Sequence, residues 1–290
     1  MRWLVVGAHG MLGQDVVGLL RERGESVRTV GRLAPDPVDV VDITDAQACL
    51  DVVTDVDVVV NCAAYTAVDD AETHEPQAFA VNAMGAGNLA RAARRAGARL
   101  VHLSTDYVFD GTATTPYPED GALAPASAYG RTKGAGEWAV RAECADHLVV
   151  RTAWLYGAGG PCFPKTIARV AAERGGIDVV DDQIGQPTWT ADLADLIVRL
   201  VAAGAPSGIY HGASSGQVSW HGFAREIVAA AGLDPQIVRP TTSAAFVRPA
   251  PRPAYSVLGH EALVAAGVTP IGPWDQRWAV AAAAVLGARV

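Results

Sequence analysis

Trp3-Leu4-Val5-Val6-Gly7-Ala8-His9-Gly10-Met11-Leu12-Gly13 decides the fold. A short apolar run meets a G-x-x-G-x-x-G spacing, and helical periodicity follows through Leu12, Val16, Leu19 and Leu20 to about Arg23. That order predicts a buried strand, a tight turn and a helix. The first glycine permits the turn, the second lets a pyrophosphate approach the backbone, and the third brings helix against sheet. The helix start adds unpaired N–H groups and about +0.5 elementary charge. Gly7, His9, Gly10, Met11, Leu12 and Gly13 are therefore expected to hold a dinucleotide.

Outward from this stretch the chain alternates strand and helix patterns. Strands are expected at Ser26–Val30, Asp57–Val60, Arg99–Leu103 and His147–Thr152. Helices are expected from Thr44-Asp45 to about Val53, over Asn82–Ala96 and over Ser127–Cys144. Such alternation means βαβ units with right-handed crossovers, hence an α/β fold with a doubly wound parallel sheet. After Thr152 the rhythm loosens, with Gly and Pro at 157–161 and 248–253 and helices at Phe163–Arg174, Asp192–Ala203, Ser219–Ala231 and Trp274–Leu286. The expected organisation is a nucleotide-binding core over residues 1–152 and a predominantly substrate-binding part over 153–290, interleaved with it.

Composition narrows the class. Of 290 residues half are hydrophobic and 19% charged, which excludes a disordered chain. No apolar run reaches the roughly 18–20 residues of a membrane span, and Met1–Gly7 reads as a strand rather than a signal peptide. A net charge of −8 argues against nucleic acid as a partner. Cys49, Cys62, Cys144 and Cys162 form no CxxC pair and the histidines no HExxH, so neither a disulfide framework nor a metal site is expected. A cytoplasmic enzyme is the default.

Two further stretches carry chemistry. Tyr129-Gly130-Arg131-Thr132-Lys133 is Y-x-x-x-K, which puts Tyr129 and Lys133 on one helix face. A phenol near pKa ~10 is a poor proton donor or base at neutrality, and an ammonium beside it lowers that value. Ser104-Thr105-Asp106 follows the fourth strand, at the sheet edge where such folds bind ligands. A Thr105 hydroxyl there can bond a substrate carbonyl beside Tyr129. The acidic residue that would read an adenosine 2′-hydroxyl is missing after the second strand, where Arg32 stands instead. Arg32 favours a 2′-phosphate, hence NADPH, with NADH the alternative. Asp42-Ile43-Thr44-Asp45 is similar to the loop that flanks adenine in relatives of such folds, which would place Asp42 and Ile43 there, with Thr44 as a helix cap the competing explanation.

The G-x-x-G-x-x-G spacing is similar to that of short-chain dehydrogenases/reductases. In combination, Ser104–Gly111, Tyr129–Lys133, Asp182-Gln183-Ile184-Gly185-Gln186-Pro187-Thr188, Val60–Asp69, Arg151–Gly157 and Arg252–Leu258 resemble the dTDP-4-dehydrorhamnose reductase family, extended members of that class with a Rossmann core. The resemblance runs from residue 7 to about 258. It implies reduction of the 4-keto group of dTDP-4-dehydro-L-rhamnose, with hydride passing from nicotinamide C4 to sugar C4. Tyr129 would give the proton, Lys133 tune it and hold the nicotinamide ribose, and Thr105 polarise the carbonyl. Ala63, Ala64 and Tyr65 match the nicotinamide-side loop, Asp106 a substrate contact, and Trp154 an aromatic lying against the deoxyhexose. Lys165 and Arg252 are the candidate cations for the diphosphate, with Arg169 one turn beyond Lys165. Gly259 departs from the family pattern, which has Asp or Asn there. Some relatives dimerise through Mg²⁺-binding carboxylates; Asp15 and Asp192 lie in the corresponding neighbourhoods without a full ligand set, so monomer and homodimer both stay open. Two alternatives remain: a paralogous dTDP-4-keto-deoxyhexose reductase of antibiotic sugar biosynthesis, for example toward dTDP-dihydrostreptose, and a non-catalytic NADP-binding regulatory subunit. An epimerase or 4,6-dehydratase is disfavoured because Tyr107 follows Thr105-Asp106 where dehydratases carry an Asp-Glu pair.

Overall fold

Apolar runs such as Trp3–Val6 and Val58–Val60 bury side chains on both faces of a sheet, and the chain places them at its centre. The structure is a computed structural model that describes residues 1–32, 36 and 39–287. Strands β1 (Arg2–Val6), β2 (Ser26–Val30), β3 (Val58–Asn61), β4 (Arg99–Thr105), β5 (His147–Thr152) and a sixth, Gly208–His211, pair in parallel. Their order across the sheet is sixth-β5-β4-β3-β1-β2. The expected doubly wound sheet is thus observed, with its switch point between β1 and β3, where ligands of such folds bind.

Alternation along β1 divides the core. Trp3 and Val5 face helices α1 (Met11–Glu22) and α7 (Thr190–Ala202), meeting Val16, Leu20, Leu193 and Leu196. Leu4 and Val6 face α2 (Ala46–Val52), α4 (Ala86–Ala96) and α5 (Ala128–Glu143), meeting Cys49, Leu89 and Ala90. Each fully buried leucine removes apolar surface worth about 1.5–3 kcal/mol. A third apolar cluster joins α6 (Phe163–Arg174), α8 (Trp220–Ala230) and α9 (Trp274–Leu286) through Ile167, Phe223, Ile227 and Trp278. Beside it Ile177–Val180 pairs in parallel with Val238–Thr241. From residues 153–290, α7 and the sixth strand lie with the main sheet, and residues 288–290 lie outside the described residues. Among the described residues no helix is long and apolar enough to cross a membrane.

Several boundaries differ from the sequence reading. β4 continues two residues beyond Leu103, so Thr105 is its last residue rather than part of a following loop. The helix expected from Asn82 begins earlier: α3 (Glu75–Phe79), started by Pro76, runs through a π-helical turn at Ala80–Gly85 into α4. Apolar spacing does not register a π turn, because the extra residue changes backbone pairing and not composition. Thr44 is not a cap. Asp45 caps α2, accepting from the amides of Gln47 at 2.8 Å and Ala48 at 3.2 Å, while Thr44 turns its amide and hydroxyl to Asp42.

The glycine loop is set by backbone proximity. Gly7 has φ +77°, and a Cβ there would stand 2.7 Å from the Ala63 amide nitrogen. A Cβ on Gly13 would stand 2.3 Å from the Gly7 carbonyl oxygen. Gly13→Ala should therefore cost about 1–3 kcal/mol through overpacking against rigid backbone, read as a lower urea midpoint. An unchanged midpoint would show that α1 can withdraw from the sheet freely.

Candidate active site

Three connected regions of the surface open along the C-terminal edge of the sheet. The first is a cleft between the loops after β1, β2 and β3. It is lined by Gly7, His9, Gly10, Arg32, Asp42, Ile43, Ala63, Ala64 and Tyr65, all of them singled out in the sequence. The Asp42 carboxylate is held below its usual range by the Thr44 amide and hydroxyl, with Arg32 nearby. Asn61 accepts from the Ala63 amide at 3.0 Å, fixing the turn out of β3. Asn82, aimed inward by the π turn and 1% exposed, bonds Tyr65 at both its amide (2.8 Å) and its carbonyl (3.1 Å), and reaches Thr132 on α5 at 3.0 Å. Sequence reading missed Asn82. Two glycine-rich turns and this clamp leave the N–H end of α1 uncovered, which suits an anionic dinucleotide backbone.

The cleft leads past Gly10 and Ala64 into a second cavity. Met11, Leu12, Gly13, Thr105, Asp106, Tyr107, Tyr129, Lys133, Trp154 and Trp220 line it. Thr105 ends β4, and its hydroxyl donates to Asp106 Oδ1 at 2.9 Å while accepting the Tyr107 amide at 3.2 Å. The Tyr129 phenol lines the same cavity beside it. Ser127 caps α5 by accepting the Gly130 amide at 3.1 Å, which starts the helix one residue before Ala128-Tyr129 and presents Tyr129 to the cavity. Lys133 is 2% exposed, and its Nζ donates to the Leu103 carbonyl at 2.5 Å.

Burial governs the ionisation of this cavity. It pushes Tyr129 up to about 12, with Asp106 adding to the rise and the Thr105 hydroxyl opposing it. The expected lowering of the phenol by Lys133 is not seen: the ammonium is directed at the Leu103 carbonyl, and desolvation outweighs it. Lys133 itself is driven down to about 8 by burial, against the pull of Glu137 and Cys62.

Trp154 has φ +46°, a left-handed conformation that costs a non-glycine residue about 1–2 kcal/mol. Packing holds it there. Its indole stacks on Trp220 with centroids 3.5 Å apart and planes within 7°. Gly185 makes room for it, since a Cβ at 185 would stand 2.4 Å from the ring. One face expected to meet a sugar is thus covered by Trp220, which the sequence reading did not single out. Phe163 continues the aromatic row, 4.4 Å from Trp220.

Tyr107 and Trp220 are shared with a third cavity, lined also by Phe163, Val179, Gln183, Phe246, Arg248 and Arg252. Arg252 lies where the sequence reading placed a cation, paired with Asp69 at 2.9 Å. Arg248, 3.6 Å from the same carboxylate, is a second cation the reading missed. Lys165 is not brought to this cavity. Its Nζ donates to the carbonyls of Ala158 (2.6 Å) and Gly160 (2.9 Å), tying down the glycine-rich loop after Tyr156. Arg169 pairs with Glu173 on the surface at 2.8 Å. Gln186 pins the segment after Arg252 through the Leu258 amide (2.8 Å) and carbonyl (3.2 Å). At Gly259, where the pattern departs, the backbone carbonyl accepts from the His211 ring at 2.9 Å. Asp192 is taken by Arg277 in a two-pronged pair at 2.7 and 2.8 Å, so it does not fit as a cation ligand beside Asp15. Among the described residues no three His, Cys, Asp or Glu side chains come together as a metal set.

A glycine-rich dinucleotide cleft opening onto a Thr–Tyr–Lys cavity defines an extended short-chain oxidoreductase. The family model "RmlD substrate binding domain" matches residues 1–286. The dTDP-4-dehydrorhamnose reductase of Streptomyces griseus is 50% identical, over 94% of this chain and 90% of that protein. A probable dTDP-4,6-dihydroxy-2-methyloxan-3-one 4-ketoreductase of Streptomyces antibioticus is also 50% identical, over 94% and 92%. The crystal structure of the Bacillus anthracis dTDP-4-dehydrorhamnose reductase in complex with NADP superposes with a TM-score of 0.91 at 36% identity, covering 97% of this chain and 98% of that one. The chain belongs to the dTDP-4-dehydrorhamnose reductase family.

Asp106 offers a test of how dry the cavity is. It is 3% exposed, its Oδ2 has no partner, and burial pushes it up to about 6 against hydrogen bonds from Ser256 and Thr105. The folded chain then holds this proton more tightly than the unfolded one, so the stabilisation is full below about pH 4 and lost as pH rises through about 6. Asp106→Asn removes that loss. Its stability relative to wild type should improve between about pH 4 and pH 7.5 by about 2–3 kcal/mol, at about 1.36 kcal/mol per pKa unit. Urea unfolding at the two pH values decides it; a pH-independent difference would mean a solvated carboxylate.

Proposed function

We propose that this protein reduces the 4-keto group of dTDP-4-dehydro-L-rhamnose to dTDP-L-rhamnose with NADPH, and that Tyr129 supplies the proton. The observation that carries the proposal is that Thr105, Tyr129 and Lys133 line one cavity continuous with the dinucleotide cleft. The residues fit the cofactor: Gly7, Gly10 and Gly13 would leave backbone open to a pyrophosphate, and Arg32, which lines the same cleft, would meet a 2′-phosphate. When bound, the dinucleotide supplies a hydride. Thr105 and Tyr129 orient the keto oxygen, and the Tyr129 O–H bond breaks as its proton passes to that oxygen. Lys133, one turn on, places a positive charge near the phenolate left behind. Because burial keeps Tyr129 protonated through neutral pH, the donor is ready before reduction begins.

The division of labour follows the chain. Residues 1–152 would hold the cofactor and the proton donor, and 153–290 predominantly the sugar nucleotide. In this reading the deoxyhexose meets the Trp154–Trp220 wall, the diphosphate lies at the neck marked by Tyr107, and Arg248 and Arg252 face it from the third cavity. Lys165 acts only through the loop it tethers. The equal identity to the Streptomyces antibioticus 4-ketoreductase supports a second reading, the same chemistry on another dTDP-4-keto-deoxyhexose. A binding-only regulatory role leaves the Thr105–Tyr129 pair without a purpose.

Tyr129→Phe tests the chemistry. Loss of one positioned acid should lower turnover at least ~10²-fold while NADPH affinity, measured by fluorescence titration, stays nearly unchanged. Turnover within a few-fold of wild type would remove Tyr129 as donor. Arg32→Ala tests the cofactor. It should weaken NADPH by roughly ten- to a hundred-fold, the worth of a charge-assisted contact of about 1.5–3 kcal/mol, and leave NADH almost unaffected. Equal losses for both would make Arg32 a bystander.

A further inference from the structure

Helix α5 carries a second set of buried groups that this chemistry does not use. Glu137 lies one turn beyond Lys133, and its side chain and that of Arg151 on β5 are each 1% exposed. Arg151 grips the carboxylate with both prongs, Nε to Oε1 at 2.9 Å and Nη2 to Oε2 at 2.8 Å. Ser104, the residue before Thr105, donates to Oε1 at 2.5 Å. The third Arg151 nitrogen donates to the Glu119 carbonyl at 3.0 Å, and the guanidinium lies over Phe109 with 5.0 Å to the ring centre. Stability alone is a poor reason for such a pair, because desolvating two charges cancels most of their attraction. Its place in the fold gives a better one. The carboxylate touches the strand position next to Thr105 and shares a helix face with Lys133, whose ammonium is bound to that same strand at Leu103.

We infer that Glu137 is a positioning residue for the reduction: through Ser104 and Arg151 it locks the Thr105 end of β4 against α5, and it stands as a buried counter-charge one helical turn from Lys133. The inference rests on the reductase reading above. The groups facing Lys133 are Tyr129 and Glu137 on its own helix, Cys62 after β3, and His102 on β4, with Arg151 of β5 behind Glu137. Burial holds His102 well below its usual value and Cys62 up to about 12, so both are neutral near pH 7. Glu137 opposes the fall that burial imposes on Lys133.

The sequence makes the test direct, because the chain contains two lysines, Lys133 and Lys165. In protein labelled at lysine Cε, two resonances titrate, and Lys165→Arg identifies them. Lys133 should titrate near 8 in wild type, and Glu137→Gln should lower its midpoint by about half a pH unit or more, moving the alkaline limb of kcat/KM with it. The double variant Glu137→Gln/Arg151→Met leaves no charge unpaired and should show the same direction if the single variant does not fold. Ser104→Ala keeps every charge, so the Lys133 midpoint should stay while kcat drops several-fold with NADPH affinity kept. A Lys133 midpoint unmoved in the charge variants, or undiminished kcat in Ser104→Ala, overturns the inference. Wild-type protein inactive on the sugar nucleotide would instead overturn the reductase reading, while the lysine titration would still decide whether Glu137 sustains the charge.

Discussion

The molecule depends on a backbone approach that side chains would forbid. The Gly7 amide bonds the Val30 carbonyl at 2.8 Å, and the same residue lies so close to the Ala63 backbone that a Cβ would overlap it. Gly13 lies equally close to the Gly7 carbonyl. These contacts bring α1 hard against the sheet and leave its N–H end open between two loops. A chain of net charge −8 can therefore offer a positive site without a cluster of basic side chains, because the helix end supplies partial charges held in place by the backbone. Everything further along the sheet edge is arranged relative to that opening.

What the sequence disclosed follows from the same constraint. The glycine trio, the buried strands and the helix after Ser127 are local patterns whose spacing has one economical geometry, so sheet, cleft and the meeting of Thr105 with Tyr129 were legible. The side chains that were misjudged or missed depend on contacts between distant segments. Lys165 looked available because nothing local occupies it; its partners are carbonyls of a loop whose path spacing cannot show. Trp220 starts α8, far from Trp154 in sequence, and the two meet only because Gly185 and a left-handed Trp154 backbone permit the stack. Asn82 reaches Tyr65 from a π turn, and periodicity carries no trace of that turn.

The aromatic row explains why the third cavity adjoins the second. Trp154 faces the Thr105–Tyr129 side, Phe163 the Arg248–Arg252 side, and Trp220 stands in both. A ligand reaching from one to the other runs beside a wall whose members are packed on one another, so displacing one ring is felt at both ends. The stack is almost face to face, which the ring quadrupoles disfavour relative to an offset arrangement. Its geometry follows from where the backbone holds the two rings: the left-handed Trp154, the room that Gly185 leaves, and the start of α8.

Burial at the reaction cavity has one consistent direction. Tyr129 rises to about 12, Asp106 rises to about 6 and Lys133 falls to about 8, each moved toward its neutral form by loss of water. In such surroundings an anion formed on a substrate oxygen is costly, and so is any charge the protein must keep. A strongly basic alkoxide still takes a proton from a phenol at 12, since the transfer replaces a concentrated charge by one delocalised over a ring. The raised phenol value is thus compatible with proton donation in the reducing direction, and it makes the reverse abstraction harder. What the cavity needs in addition is one cation that remains charged against the same burial. In the proposed reduction that requirement would fall on Lys133, and it would give a reason for an anion one turn away to be kept inside the protein, paired with Arg151 rather than left to the solvent.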